Sequence, residues 1–105
     1  FPNESADRIL IVDAFHHFVD PSPRVAQPAA ARELLRVLKP GGRLLIEEPD
    51  IRQLPVKGIA LGEKLLLMGS RFLSPAQLIR LFETIGAVTV DRHYENATAW
   101  LVFSK

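Results

Sequence analysis

Arg36-Val37-Leu38-Lys39-Pro40-Gly41-Gly42-Arg43-Leu44-Leu45-Ile46-Glu47-Glu48-Pro49-Asp50 is the stretch from which the rest of the chain can be laid out. Pro40 donates no backbone hydrogen bond and pushes Lys39 away from helical angles, so a helix should stop there. Gly41 and Gly42 are read as a tight reversal that needs positive φ. Arg43 to Glu48 then reads as a buried strand, which Pro49 ends in an acidic tip of Glu47, Glu48 and Asp50. A helix feeding a strand through a short glycine turn is the second half of a βαβ unit.

The totals limit what this unit can belong to. With 105 residues, 48% of them hydrophobic, the chain suits one small domain with a real core. A formal charge of +1, mixed in sign along the chain, leaves no nucleic-acid footprint. Cysteine is absent, which excludes disulfides and thiolate metal sites and fits a reducing, cytoplasmic setting. No signal peptide is visible, and no apolar run approaches the ~20 residues of a membrane span. The chain opens on Phe1-Pro-Asn-Glu-Ser-Ala-Asp without a methionine, as a piece of something longer would.

Upstream of the opening stretch, Arg8-Ile-Leu-Ile-Val runs apolar without alternation, the pattern of a parallel strand covered on both faces. It leads into Asp13-Ala-Phe-His-His-Phe-Val-Asp, at the strand end where open α/β sheets bind ligands. Pro21, Pro23 and Pro28 punctuate a loop, with Pro28 expected at the first position of the next helix. Ala30, Leu34, Val37 and Leu38 give that helix an apolar stripe. Downstream, Val56 to Met68 reads either as a core helix or as a lid over an apolar pocket. Ser74-Pro-Ala-Gln is a capping box, Leu78, Leu81, Phe82 and Ile85 form a stripe, and Gly86 supplies a left-handed cap. Val88 to Tyr94 and Thr98 to Ser104 are strands whose short link allows only an antiparallel hairpin.

The chemistry-bearing residues are few. His16 and His17 are adjacent, so in an extended segment their rings diverge, and no His-x-x-x-His pattern occurs; no metal site is expected. They read either as packed or solvated loop histidines or as catalytic groups. Asp13 can accept hydrogen bonds from a ligand's amine or hydroxyl. Glu47, Glu48 and Asp50 sit at the matching edge of the second strand, as substrate contacts or as a solvated tip. Lys39 reads as a cation at a helix C-terminus.

Phe1-Pro-Asn-Glu-Ser-Ala-Asp, Ala14-Phe-His-His-Phe-Val-Asp and Arg36-Val-Leu-Lys-Pro-Gly-Gly-Arg-Leu-Leu-Ile together resemble the class I S-adenosylmethionine-dependent methyltransferases, most closely the small-molecule enzymes of the type found in quinone biosynthesis. The resemblance implies that residues 1–105 are a single partial domain, the family's fourth to seventh strands, with most of the cofactor site outside the sequence. It implies S-adenosylmethionine as cofactor and a small-molecule methyl acceptor. Asp13, Ala14 and Phe15 match positions bordering the cofactor, His17 one facing the active site, and Glu47, Glu48 and Asp50 the substrate-side lip. The segment between Asp20 and Arg36 is longer than the family's.

The expected fold is thus α/β, the C-terminal half of a Rossmann-like methyltransferase sheet. Arg8–Val12 and Arg43–Glu48 should be parallel, Thr98–Ser104 antiparallel beside the latter, and Val88–Glu95 outermost. The expected function is methyl transfer by the intact protein; the alternative is a non-catalytic binding or assembly module on a methyltransferase-like half-fold. The strand Arg8–Val12, apolar to its edge, should drive self-association.

Overall fold

In a computed structural model, residues 1–12, 14, 15, 22–49 and 73–105 are described. Their elements are β1 (Ala6–Val12), α1 (Pro23–Val37), β2 (Leu38–Pro49), α2 (Pro75–Thr84), β3 (Val88–Glu95) and β4 (Thr98–Ser104). The strands form one four-stranded sheet in the order β1-β2-β4-β3. β1 is parallel to β2, with Ile9 beside Leu44 and Ile11 beside Ile46. β4 is antiparallel to both β2 and β3. The parallel pair, the inserted β4 and the outer β3 are therefore as the sequence implied. The possible lid, Val56 to Met68, lies outside the described residues.

Both helices pack on one face of the sheet. Ala31 and Leu35 of α1 and Leu78 and Phe82 of α2 close over Leu44, Ile46, Leu101 and Phe103. The Phe82 ring stacks on Phe103 at 4.6 Å. Strand alternation sends Leu10, Val12, Leu45, Trp100 and Val102 to the opposite face. There Leu10 is 62% and Val12 47% exposed, so among the described residues the two-sided cover expected of β1 is not seen.

α1 departs from expectation at both ends. It begins at Pro23, behind Ser22 in extended conformation, and runs on through Pro28, which was read as its first residue. Ser22 O accepts from the Val25 amide at 3.1 Å and from the Ala26 amide at 2.8 Å, which closes a helical turn ahead of Pro28. The buried stripe is also displaced: Ala31 and Leu35 are in the core, whereas Ala30 and Leu34 are only partly covered.

No glycine turn separates α1 from β2. The helix passes directly into the strand, because each of its last carbonyls finds a donor. Leu34 O accepts from the Leu38 amide, Leu35 O from Lys105 Nζ at 2.5 Å, Arg36 O from the Glu4 amide at 2.8 Å, and Val37 O from the Ser5 amide at 2.9 Å. Pro40, Gly41 and Gly42 instead form an excursion inside β2. Ala6 pairs with Leu38 and Arg8 with Arg43, so five steps along β2 match two along β1. Lys39 is not a helix-end cation; its Nζ lies 3.4 Å from the Asp7 carboxylate.

The second half is as the sequence signals indicated. Gln77 N donates to Ser74 Oγ at 3.1 Å and Ser74 N donates to Gln77 Oε1 at 2.8 Å, closing the capping box. Gly86 takes φ +106° after α2. Asn96 and Ala97, both at positive φ, make the two-residue hairpin turn. Among the described residues, no helix is long and apolar enough to cross a membrane.

Candidate functional site

The C-terminal ends of the parallel strands β1 and β2 lie side by side, with Val12 paired to Glu47. β4 runs past them in the opposite direction, so its first residue, Thr98, is paired with Pro49 at the end of β2. Val12, Glu47, Glu48, Pro49 and Thr98 line a cleft of about 330 Å³ at this edge. Larger hollows lie elsewhere: 410 Å³ between α1 and α2, and 620 Å³ along β1. Those are grooves between packed elements. The small cleft is the one at the strand ends, where a sheet of this kind offers its loops and free backbone groups to a ligand.

Glu47 and Glu48 are consecutive in β2, so alternation turns them to opposite faces of the sheet. Glu48 is on the helix-covered face and is 3% exposed. Glu47 is on the open face and only partly buried, beside Trp100 of β4 in the pairing register. The Trp100 ring in turn lies 5.3 Å from the His93 ring on β3, and His93 Nε2 is 3.2 Å from the Glu95 carboxylate. The carboxylates thus approach the cleft from its two sides and do not converge on one point. Such an arrangement suits holding the polar ends of a ligand by accepted hydrogen bonds. It does not suit a paired acid and base acting on one atom.

The structure brings only part of the sequence-derived site together. Glu47 and Glu48 line the cleft. Ala14 is half-buried just beyond β1, and Phe15 is 1% exposed, its ring 5.8 Å from Phe82 in the core. Phe15 therefore anchors the segment after β1, and any contact it makes with a ligand comes from its backbone. Asp13, His16, His17 and Asp50 lie outside the described residues. Among the described residues, no group of three His, Cys, Asp or Glu is placed to hold a metal ion.

Val12 and Thr98 were missed in the sequence. Val12 reads as one more apolar strand residue. Thr98 reaches the site only through the non-local β2–β4 register, which sets it opposite Pro49 and leaves no mark in the local sequence.

Residues 1–46 match the family model of the methyltransferase domain. No curated protein sequence matches the chain. Solved structures match it over its whole length. The mitomycin 7-O-methyltransferase MmcR superposes with a TM-score of 0.79 at 21% identity, over 100% of this chain and 31% of its own. PigF, solved with SAH, gives 0.78 at 18% identity, over 100% of this chain and 35% of its own. A SAM-dependent methyltransferase from Thermotoga maritima, described as a possible histamine N-methyltransferase, gives 0.72 at 24% identity, over 100% of this chain and 58% of its own. At these identities the likeness is one of fold. The chain spans about half the length, or less, of the proteins it superposes on.

Proposed function

We propose that this chain, which has the Rossmann-like methyltransferase fold and carries the methyltransferase-domain sequence over residues 1–46, is the acceptor-side part of an S-adenosylmethionine-dependent small-molecule methyltransferase. The observation that carries the reading is the coincidence of that match with a ligand-sized cleft at the C-terminal ends of β1 and β2. Its volume of about 330 Å³ is at the low end of the roughly 300–1,000 Å³ of small-molecule sites. Apolar Val12 on one wall and carboxylates on the others fit one rim of a cofactor that has both apolar and cationic parts.

S-adenosylmethionine, when bound, supplies an electrophilic methyl group that passes to the acceptor by in-line displacement. The residues of this chain position and shield. Val12 and Ala14 present apolar surface that keeps water from the reacting atoms. Glu47 and Glu48 accept hydrogen bonds from amine or hydroxyl groups and fix orientation, which is where most of the protein's rate contribution to such a displacement arises. Where the acceptor must lose a proton, we assign that role to His17, because imidazole is a side chain suited to accepting a proton in a reaction at neutral pH. By the family resemblance we assign Asp13 to the cofactor and Asp50 to the substrate.

Amide spectra of the ¹⁵N-labelled chain titrated with S-adenosylhomocysteine test the reading. At about 1 mM ligand, where binding of roughly 4 kcal/mol half-fills the site, the Val12, Ala14, Phe15, Glu47 and Glu48 amides should shift. Shifts confined to the groove along β1 would overturn it.

A further inference from the structure

We propose that the groove between α1 and α2 binds a small amphipathic anion, an apolar body with a carboxylate or phosphate head. Both walls are helices of this chain. Ala31 and Leu35 fix α1 on the sheet, and Leu78 and Phe82 fix α2 beside it. The groove holds about 410 Å³, within the roughly 300–1,000 Å³ of small-molecule sites. Leu73, Leu81 and Ile85 give it an apolar lining, to which a small number of polar side chains is added, the usual make-up of such a site. It shares no residue with the cleft at the strand ends, so it stands apart from the methyl-transfer reading.

The charges decide which ligand fits. Arg32 lines the groove from α1 and Arg80 from α2, and among the described residues no carboxylate lines it. The acids nearest to these arginines in sequence are engaged elsewhere. Glu33, next to Arg32, makes a two-pronged pair with Arg36. Glu83 stands one turn beyond Arg80, where an ion pair commonly forms on a helix. Its carboxylate instead accepts from Thr89 Oγ1 on β3, at 3.0 Å. Among the described residues, neither Arg32 nor Arg80 takes part in an ion pair. Two guanidinium groups lining one groove disfavour each other, and one anion between them removes that cost. Arginine is suited to the task, because its planar fork gives two parallel hydrogen bonds to a carboxylate or phosphate. The apolar body of the same ligand then covers Leu73, Leu81 and Ile85.

The test is titration of the ¹⁵N-labelled chain with octanoate, octyl phosphate, octanol and octylammonium, each to about 10 mM, enough to fill most of a millimolar site. Octanoate or octyl phosphate should shift the Leu73, Gln77, Arg80 and Leu81 amides saturably, and the tighter of the two identifies the head the site takes. Octanol and octylammonium should bind there about fivefold more weakly or worse, since neither accepts a charge-assisted hydrogen bond. Arg32→Gln and Arg80→Gln should each weaken the anion about threefold or more, the scale of an exposed ion pair. Arg24→Gln, on α1 outside the groove, should leave the affinity unchanged. All three arginines are exposed, so the fold does not depend on them. Absence of a saturable shift with either anion overturns the proposal, and so do shifts confined to β1. Octanol binding as tightly as octanoate overturns it too, as does an affinity indifferent to both groove arginines or equally sensitive to Arg24→Gln.

Discussion

Gly41 and Gly42 are neighbours that are glycine for different reasons. Gly41 has φ +78° and open space where a Cβ would go, so only its backbone angle excludes a side chain. Gly42 is at negative φ or extended, yet a Cβ there would lie 2.8 Å from Leu38 Cδ1 and 2.9 Å from both the Asp7 and Lys39 carbonyl oxygens. Gly41→Ala should therefore cost about 1–2 kcal/mol, and Gly41→Asn much less, since asparagine tolerates the left-handed region. Gly42→Ala and Gly42→Asn should both cost about 1–3 kcal/mol, because backbone atoms must move. Urea denaturation of the four variants checks this; a mild Gly42→Asn would show that the excursion in β2 yields easily. The sequence reading gave both glycines the same role. Positive φ is a local property that Pro-Gly signals, whereas the approach of the Asp7 carbonyl depends on how β1 docks and leaves no local mark. The hairpin turn shows the converse. Ala97 sits at φ +58°, where alanine is strained by about 1–2 kcal/mol. Ala97→Gly should stabilise the chain by about 0.5–1 kcal/mol after glycine's extra freedom in the unfolded state is subtracted, and raise the melting temperature accordingly.

At the scale of elements, α2 was legible from end to end and α1 was not. α2 carries its boundaries within itself, in the Ser74–Gln77 box and the positive φ of Gly86. α1 has no side-chain cap on Ser22, contains Pro28, and ends where distant segments supply donors to its carbonyls. Local rules place its start at Pro28, and packing overrides them. Pro28 removes the amide that would donate to the Arg24 carbonyl, and a mid-helix proline is about 3 kcal/mol worse than alanine. Its stiffening of the unfolded chain offsets part of that. Pro28→Ala should thus stabilise the protein by about 1–2 kcal/mol in thermal unfolding. A loss instead would mean that the ring's contact in the groove between α1 and α2 outweighs the missing bond. Lys105 ties the other end of α1. Its ammonium donates to Leu35 O in a partly buried setting, so Lys105→Met should cost about 1 kcal/mol.

For the whole molecule, hydrophobic pattern and link length pointed to a parallel strand and a hairpin, because an uninterrupted apolar run marks a parallel strand and a short link forces a hairpin, whereas the place of β4 between β2 and β3 was an expectation from the family resemblance. Site composition did not follow. Glu47 and Glu48 could be placed at a strand end, but Thr98 enters the cleft only through register, and Phe15 turns into the core because Phe82 is there to meet it. The cleft that results is small and touched by few residues, and by the family resemblance most of a cofactor's contacts come from elsewhere in a complete domain. The chain alone should therefore bind S-adenosylhomocysteine with a dissociation constant of about 1 mM or weaker. Ligand linkage turns this into a thermal measurement. At 1 mM ligand such a site adds at most RT ln 2, about 0.4 kcal/mol, whereas a micromolar site would add about 4 kcal/mol. For a domain near 100 residues, where 1 kcal/mol moves the midpoint by roughly 4–8 °C, the first case is a rise of about 3 °C or less and the second well over 15 °C. A rise of the larger size would show that this chain holds a complete cofactor site and would remove the reason for assigning it only the acceptor side.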